Sequence, residues 1–446
     1  MEAGHLPAVP HLTTALTGPL QQIENTLLSE QSRIEAWFRA EWRKTPAPFY
    51  GSVDLRNAGF KLAPVDTNLF PAGFNNLNPA FIPLCVQAMQ AKMEEICEVA
   101  CNVLLIPEDH TRNLYYLESL STLQEIILKA GYRVRIGSLR SDLEKEEIIE
   151  LPSGRSVRLE PVIRRGQRIC LEDFMPCVVV LNNDLMGGEP DILRNIDQPV
   201  VPPPGLGWSN RLKSGHFYHY HEVATEFSRL LETDPWLINP LFRNCGELDF
   251  KNREGEDCLA KNVQELLDDI QKKYDQHAID KPPFVVVKAD AGTYGMAIMS
   301  VSSVDELLSL NRKQRNKMAS MKGGGGVSKF LLQEGVYTFE TWGDDQDAAV
   351  AEPVVYMIDH FVVGGFYRVH TDRGPRENLN APGMHFEPLA FHQSCNMPDR
   401  SQSPDAEPNR FYAYGVIARL ALLAAARELA DHKEEIDNDA GNQIAS

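Results

Sequence analysis

The stretch richest in chemistry runs Val285-Val286-Val287-Lys288-Ala289-Asp290-Ala291-Gly292-Thr293-Tyr294-Gly295. An apolar run ends in a lysine, and a glycine-containing turn follows at once. Glycines let backbone N–H groups approach a polyphosphate, and the ammonium adds a point charge to the same phosphates. The order is neither a Walker loop, which needs Gly-x-x-x-x-Gly-Lys-Ser/Thr, nor a dinucleotide fingerprint. On its own, a tight turn beside a snorkelling lysine explains the stretch equally well. Further along, Phe330-Leu331-Leu332-Gln333-Glu334-Gly335 is a second apolar run that breaks into polar residues. Such a strand end can offer backbone groups to a base and a carboxylate to a ribose.

Two acid-bearing segments lie near the amino end, Gly51-Ser52-Val53-Asp54-Leu55-Arg56-Asn57 and Pro64-Val65-Asp66-Thr67-Asn68-Leu69-Phe70-Pro71-Ala72-Gly73. Carboxylate and amide oxygens are the hard ligands that Mg²⁺ takes. The bland alternative is a set of Asx turns, with metal ligands among Glu352, Asp359, Asn378 and Asn380. The block Gly364 to Gly383 carries Arg368 and Arg376, whose planar forks suit a carboxylate or a transferred phosphoryl group. Structural arginines are common, so both stand as candidates. The spacing of His216, His219 and His221 does not put three imidazoles on one helix face, which favours aromatic packing or substrate lining over zinc.

These residues need elements to hold them. Apolar periodicity predicts a helix over residues 18–44, ended by Pro46 and Pro48. Strands and loops follow to Asn78, then a helix over 79–100. Apolar runs at 102–106, 132–136 and 177–181 alternate with a helix at 114–130, the rhythm of a mostly parallel sheet. Pro202-Pro203-Pro204-Gly205 is a rigid connector. Helices are expected at 215–233, 260–276, 304–317 and 411–429, and strands at 284–288, 299–301, 330–333, 349–358 and 361–369. Lys322–Ser328, with four consecutive glycines, reads as a mobile loop, and the polar residues from Asp431 onward as a frayed tail.

The chain has 446 residues, 43% of them apolar, which is enough to build large cores. Its formal charge of −18 argues against a general nucleic-acid binder. There is no apolar run of membrane length, and Met1–Thr17 lacks the pattern of a secretory signal. Eight cysteines without a Cys-x-x-Cys pair read as reduced thiols, so a cytoplasmic protein is expected. A homo-oligomer is compatible with all of this.

The order strand, Lys288, Gly loop, helix, strand, Gln333-Glu334 resembles that of the ATP-grasp ligases, which clamp ATP between two α+β subdomains. The connector Pro203 to Lys213 resembles that of glutathione synthetase, where Pro and Asn precede an ATP-contacting lysine. Lys213 takes that position, although an exposed connector lysine would look the same. ATP-grasp enzymes normally carry an acidic-x-Asn motif on a strand near the carboxy end, and this chain has none there. Asp66-Thr67-Asn68 resembles that motif, so the likeness implies a circularly permuted grasp domain with Asp54, Asp66 and Asn68 returning to hold Mg²⁺.

The runs Ser52–Lys61 and Pro64–Leu77, with the Lys288 loop and the Arg368–Gly383 block, resemble the proteobacterial type of glutamate–cysteine ligase. The resemblance covers about residues 20–430. It implies ATP-dependent joining of L-glutamate to L-cysteine through an acyl phosphate, the first step of glutathione synthesis. It further implies nucleotide contacts from Lys213, Lys288, Gly292, Thr293, Tyr294, Gly295, Gln333 and Glu334. Arg368 and Arg376 would act in catalysis, and Arg56 and Asn378 would touch substrate. The expected fold is α/β and α+β, ATP-grasp-like and permuted, with a parallel-sheet pre-grasp domain. Its parts are a helical segment 1–48, a segment 49–100 completing the grasp core, the pre-grasp domain 101–204, grasp subdomains 205–430 and a disordered tail 431–446. Another ATP-grasp carboxylate–amine ligase, or a non-catalytic ATP-binding protein, would share these motifs.

Overall fold

The computed structural model describes residues 19–99, 101–109, 113–292, 297–319, 328–343, 348–388 and 411–444, with side chains to residue 432. Leu20, Ile23, Leu27, Ile34 and Phe38 form the buried stripe expected of the first helical segment. The chain turns at Glu30, so the stripe is carried by two helices, Pro19–Ser29 and Gln31–Lys44, rather than one.

The strands Tyr50–Asn57 and Leu62–Asn68 form an antiparallel hairpin in which Asp54 faces Asp66. Its tight connection needs Gly59 at φ 80°, a conformation that costs glycine little. The strand Tyr50–Asn57 pairs in turn with Ala349–Ile358, which pairs with Phe361–His370 and then His385–Pro388. An amino-terminal hairpin thus completes a sheet otherwise drawn from residues 341–388. This is the connectivity that the permuted reading requires.

A second sheet has the order 200–201, 178–182, 102–107, 133–138, 156–161, 147–150 among the described residues; all of its neighbours are parallel except the last pair. Val103–Ile106 and Val178–Leu181 are buried throughout, because helices or other sheets cover both faces of such strands. A third, antiparallel sheet of four described strands runs Phe242–Glu247, Lys329–Glu334, Val285–Ala289, Ile298–Val301. The mixed α/β and α+β class is as expected.

Two expected elements differ. Residues 304–317 form two short helices, Val304–Leu308 and Arg312–Met318, because Ser303 and Asn311 each cap a new start. The last helix runs from Phe411 to Ile444 instead of fraying after Leu429. Its distal part is polar, but Glu, Lys and Ala favour helix, and no proline interrupts it. Its first half, Tyr412–Ala426, is buried on all sides. That helix lies so close to the hairpin that a Cβ on Gly51 would sit 3.1 Å from Leu422.

Candidate functional site

A cavity of about 1190 Å³ opens where the three sheets meet. The hairpin contributes Asp54, Asp66 and Asn68 to its wall, the connector Trp208 and Lys213, and the four-stranded sheet Lys288 and Gln333. Glu352 and Arg368 enter from the hairpin's own sheet, and Asn75, Glu108, Tyr116 and Asp184 from the side of the parallel-sheet domain.

Lys288 ends its strand with the side chain turned inward. Its Nζ donates to the Val65 carbonyl and to Gln333 Oε1, both at 2.7 Å. Burial pulls its pKa down to about 7, with Lys213 pushing the same way and Asp66 and Asp290 opposing. Gln333 Nε2 is buried without a hydrogen-bond partner. Lys213 opens the helix Lys213–Leu231, and its Nζ donates to Asp66 Oδ1 at 2.9 Å while lying 4.0 Å from the Trp208 ring centroid. Asp290 fixes this helix start on the lysine loop. Its carbonyl accepts from the Lys213 N–H, and its carboxylate accepts from the Ser214 N–H and hydroxyl, each at 2.7 Å. Burial alone would raise the Asp66 pKa, but Lys213, Lys288 and Arg211 outweigh it and hold the group down at about 2.

Across the hairpin, Arg368 Nη1 donates to Asp54 Oδ2 at 2.9 Å and to Glu352 Oε1 at 2.5 Å. Arg368 Nε is buried without a partner. Asp54 has its pKa raised by burial and by the neighbouring Glu352 and Asp66 charges, against the pull of Arg368. Asp54 thus sits beside the like charges of Glu352 and Asp66, an arrangement a divalent cation would relieve. Asn68 Oδ1 accepts from the Phe70 N–H at 2.9 Å, an Asx turn that leaves an oxygen lone pair available. Asp54, Asp66 and Asn68 offer the oxygen ligands that magnesium takes, although among the described residues no three His, Cys, Asp or Glu side chains converge on one metal position.

Other expected residues are placed as follows. Gly292, Arg376 and Asn378 line the cavity, with Arg376 exposed and donating to Ser302 Oγ at 2.9 Å. Asn378 Oδ1 accepts from the Asn380 N–H. Thr293, Tyr294 and Gly295, and the four-glycine loop, lie outside the described residues. Arg56 borders the cavity, but its guanidinium is engaged by Glu352, the Val336 carbonyl and the Glu377 carbonyl. Glu334 is also committed. Its carboxylate accepts from Lys61 Nζ at 2.7 Å, Trp236 Nε1 at 3.1 Å and the Leu241 N–H at 2.8 Å. Glu334 also lines the cavity, but as placed its carboxylate forms an internal ion pair, favoured because burial demands a counter-charge. Asp359 pairs with Lys92 and His360, away from the cavity wall. The three histidines diverge, His216 toward Glu428, His219 toward Asp431 and His221 toward Asn239.

Trp208, Asp290 and Arg211 were not singled out from sequence. Asp290 stands two residues after Lys288 and Trp208 lies inside the connector, so proximity to the lysines was the available signal.

The chain matches the family described as GshA, glutamate-cysteine ligase, over residues 24–429. A solved structure from Methylobacillus flagellatus KT, assigned as a gamma-glutamylcysteine synthetase, is 58% identical, covers 95% of this chain and 99% of its own, and has a TM-score of 0.87. A glutathione synthetase-like effector from Globodera pallida is 10% identical over 85% of this chain and 88% of its own, with a TM-score of 0.42. D-alanyl-alanine synthetase A from Vibrio cholerae is 9% identical over 72% and 81%, at 0.33. The last two are too distant to carry an argument. The search of curated proteins gave no match.

Proposed function

The chain belongs to the glutamate–cysteine ligase family, and from that premise we propose that the cavity between its three sheets is where ATP drives the joining of glutamate to cysteine. The observation that carries this reading is the meeting of Asp66, Lys213 and Lys288, distant in sequence, on one cavity wall.

A carboxylate is a poor electrophile. Transfer of the ATP γ-phosphoryl group to the glutamate γ-carboxylate makes an acyl phosphate and releases ADP. The cysteine amine then attacks the carbonyl carbon, and phosphate leaves with the C–O bond electrons. This is the first step of glutathione synthesis. The protein contributes position and charge rather than covalent chemistry. Lys213 and Lys288 neutralise the triphosphate, and the backbone at Gly292 borders it. The end of the strand Lys329–Glu334 flanks the base, with Gln333 rather than the Glu334 carboxylate offering a free polar group. Arg368, held on Asp54 and Glu352 at the cavity wall, would stabilise charge that develops on the transferred phosphoryl group or on the tetrahedral carbon. Arg376 and Asn378 sit at the rim, suited to a substrate carboxylate. Arg56 acts through Glu352, which it orients.

Asp54, Asp66 and Asn68, with Glu352 beside them, would hold Mg²⁺. When bound, the metal would add charge neutralisation at the triphosphate. We take residues 49–100 and 205–430 as one grasp unit and 101–204 as the domain preceding it. A cytoplasmic setting goes with the family reading, and no helix among the described residues is long and apolar enough to cross a membrane.

The test is ADP release with glutamate and cysteine supplied singly and together. Release that requires both supports the reading; release indifferent to cysteine would falsify it.

A further inference from the structure

We propose that Arg211 and Glu428 are positioning residues that set the metal-facing strand of the hairpin by tying it to the carboxy-terminal helix. The inference rests on the assignment of Asp66 and Asn68 to the metal.

The strand Leu62–Asn68 is the edge of its sheet. One side pairs with Tyr50–Asn57. On the open side its carbonyls must find other donors. Two cations supply them. Lys288 Nζ donates to the Val65 carbonyl at 2.7 Å, and Arg211 Nη1 to the Thr67 carbonyl at 2.6 Å. The two cations thus hold carbonyls on either side of Asp66, where a register shift interrupts the hairpin ladder at Val65. Lys288 must also serve the nucleotide. Arg211 lies behind the cavity wall and serves no group within it.

Thr67 stands between Asp66 and Asn68, with its side chain on the opposite face and buried. Fixing its carbonyl fixes the peptide planes from which both flanking side chains project. Arg211 is itself fixed. Its Nε and Nη2 donate to the two Glu428 oxygens at 2.8 and 3.0 Å, and its side chain is 1% exposed. Its guanidinium lies 5.1 Å from the Trp208 ring centroid, against the indole that also carries Lys213. His216 brings Nδ1 to 3.4 Å from Glu428 on the same side.

Apolar contact already joins this helix to the hairpin, at Leu422 against Gly51. A buried ion pair adds little net stability over such packing. Only a planar fork with three directed donors can aim one carbonyl, which is the contribution an apolar pair would lack.

The test measures the Mg²⁺ concentration for half-maximal binding of a non-hydrolysable ATP analogue by calorimetry, in wild type, Arg211→Lys and Arg211→Met/Glu428→Met. The double variant removes both charges, so neither is stranded. In both variants the Mg²⁺ requirement should rise roughly tenfold or more, the scale of a lost hydrogen bond to a charged group. Binding of the metal-free analogue and the melting temperature should stay near wild type. An unchanged Mg²⁺ requirement in the variants overturns the proposal, and so does loss of metal-free binding in parallel with melting temperature, which marks a merely structural role. If the double variant does not fold, Arg211→Lys alone decides. Asp66→Ala is the control: if it too leaves the Mg²⁺ requirement unchanged, the metal assignment itself has failed. If it raises the requirement while the Arg211 variants do not, only this inference fails.

Discussion

Between the hairpin turn and the strand Lys329–Glu334, Lys61→Met would strand a carboxylate in the interior. The Lys61 and Glu334 side chains are 0% and 1% exposed, with Nζ 2.7 Å from Oε2, and Lys61 lies 4.2 Å from the Trp236 ring centroid. Burial pulls the Lys61 pKa down to about 8, with Glu334 opposing, so the ammonium is largely retained at neutral pH. Removing one partner of such a pair costs about 3–5 kcal/mol. At about 2–4 °C per kcal/mol for units of 150–250 residues, the melting transition of the grasp unit falls by roughly 6–20 °C. The double variant Lys61→Met/Glu334→Gln strands no charge, and the new amide oxygen can still accept from Trp236 Nε1 and the Leu241 N–H. It should recover most of the loss. Differential scanning calorimetry of wild type, both single variants and the double variant gives the coupling directly. An unshifted transition in Lys61→Met refutes the ion-pair account. Loss of nucleotide affinity in a stably folded double variant would return Glu334 to the nucleotide.

Asp66→Ala should abolish metal-dependent turnover while the melting temperature stays close to wild type; residual activity near normal refutes its place at the metal. Arg368→Lys, which keeps a cation for Asp54 and Glu352, should lower kcat by about 10²–10³, the scale of a lost oxyanion donor, with KM for ATP little changed. The Lys288 ammonium exists below about pH 7 and is lost above it. The free enzyme at pH 8 must therefore take up a proton to bind a triphosphate, and affinity should weaken as pH rises through 7 toward 9. Calorimetry in buffers of different ionisation enthalpy reads that uptake, and Lys288→Arg should remove it. Chelation of divalent cations should stop turnover, and Mg²⁺ should restore it.

Lys288 stands out locally, as a lysine at a strand end before a glycine turn, but that pattern alone fits a bare turn equally well. The use of Lys213 and of Asp66-Thr67-Asn68 comes from family likeness, and the structure brings these residues to one cavity wall. The return of the hairpin to the carboxy-terminal strands was reached through family likeness, since strand pairing across the whole chain leaves no local mark. A carboxylate at a strand end such as Glu334 looks available, and nothing nearby in sequence announces that Lys61 arrives beneath it. Arg211 and Glu428 were illegible for the same reason, each meaningful only once the last helix lies across the hairpin. The extent of that helix was missed because its polar end was read as a tail, although its residues favour helix.

The hairpin strand meets its partner only after nearly the whole polypeptide exists. At about 5–20 residues per second, the stretch between Asn68 and Ala349 takes on the order of 15–60 s to emerge from a ribosome. During that interval Asp54 faces Asp66 across the hairpin without the Arg368 that later pairs with it. A chain that ends before Ala349 therefore lacks the strand on which the hairpin's sheet is built.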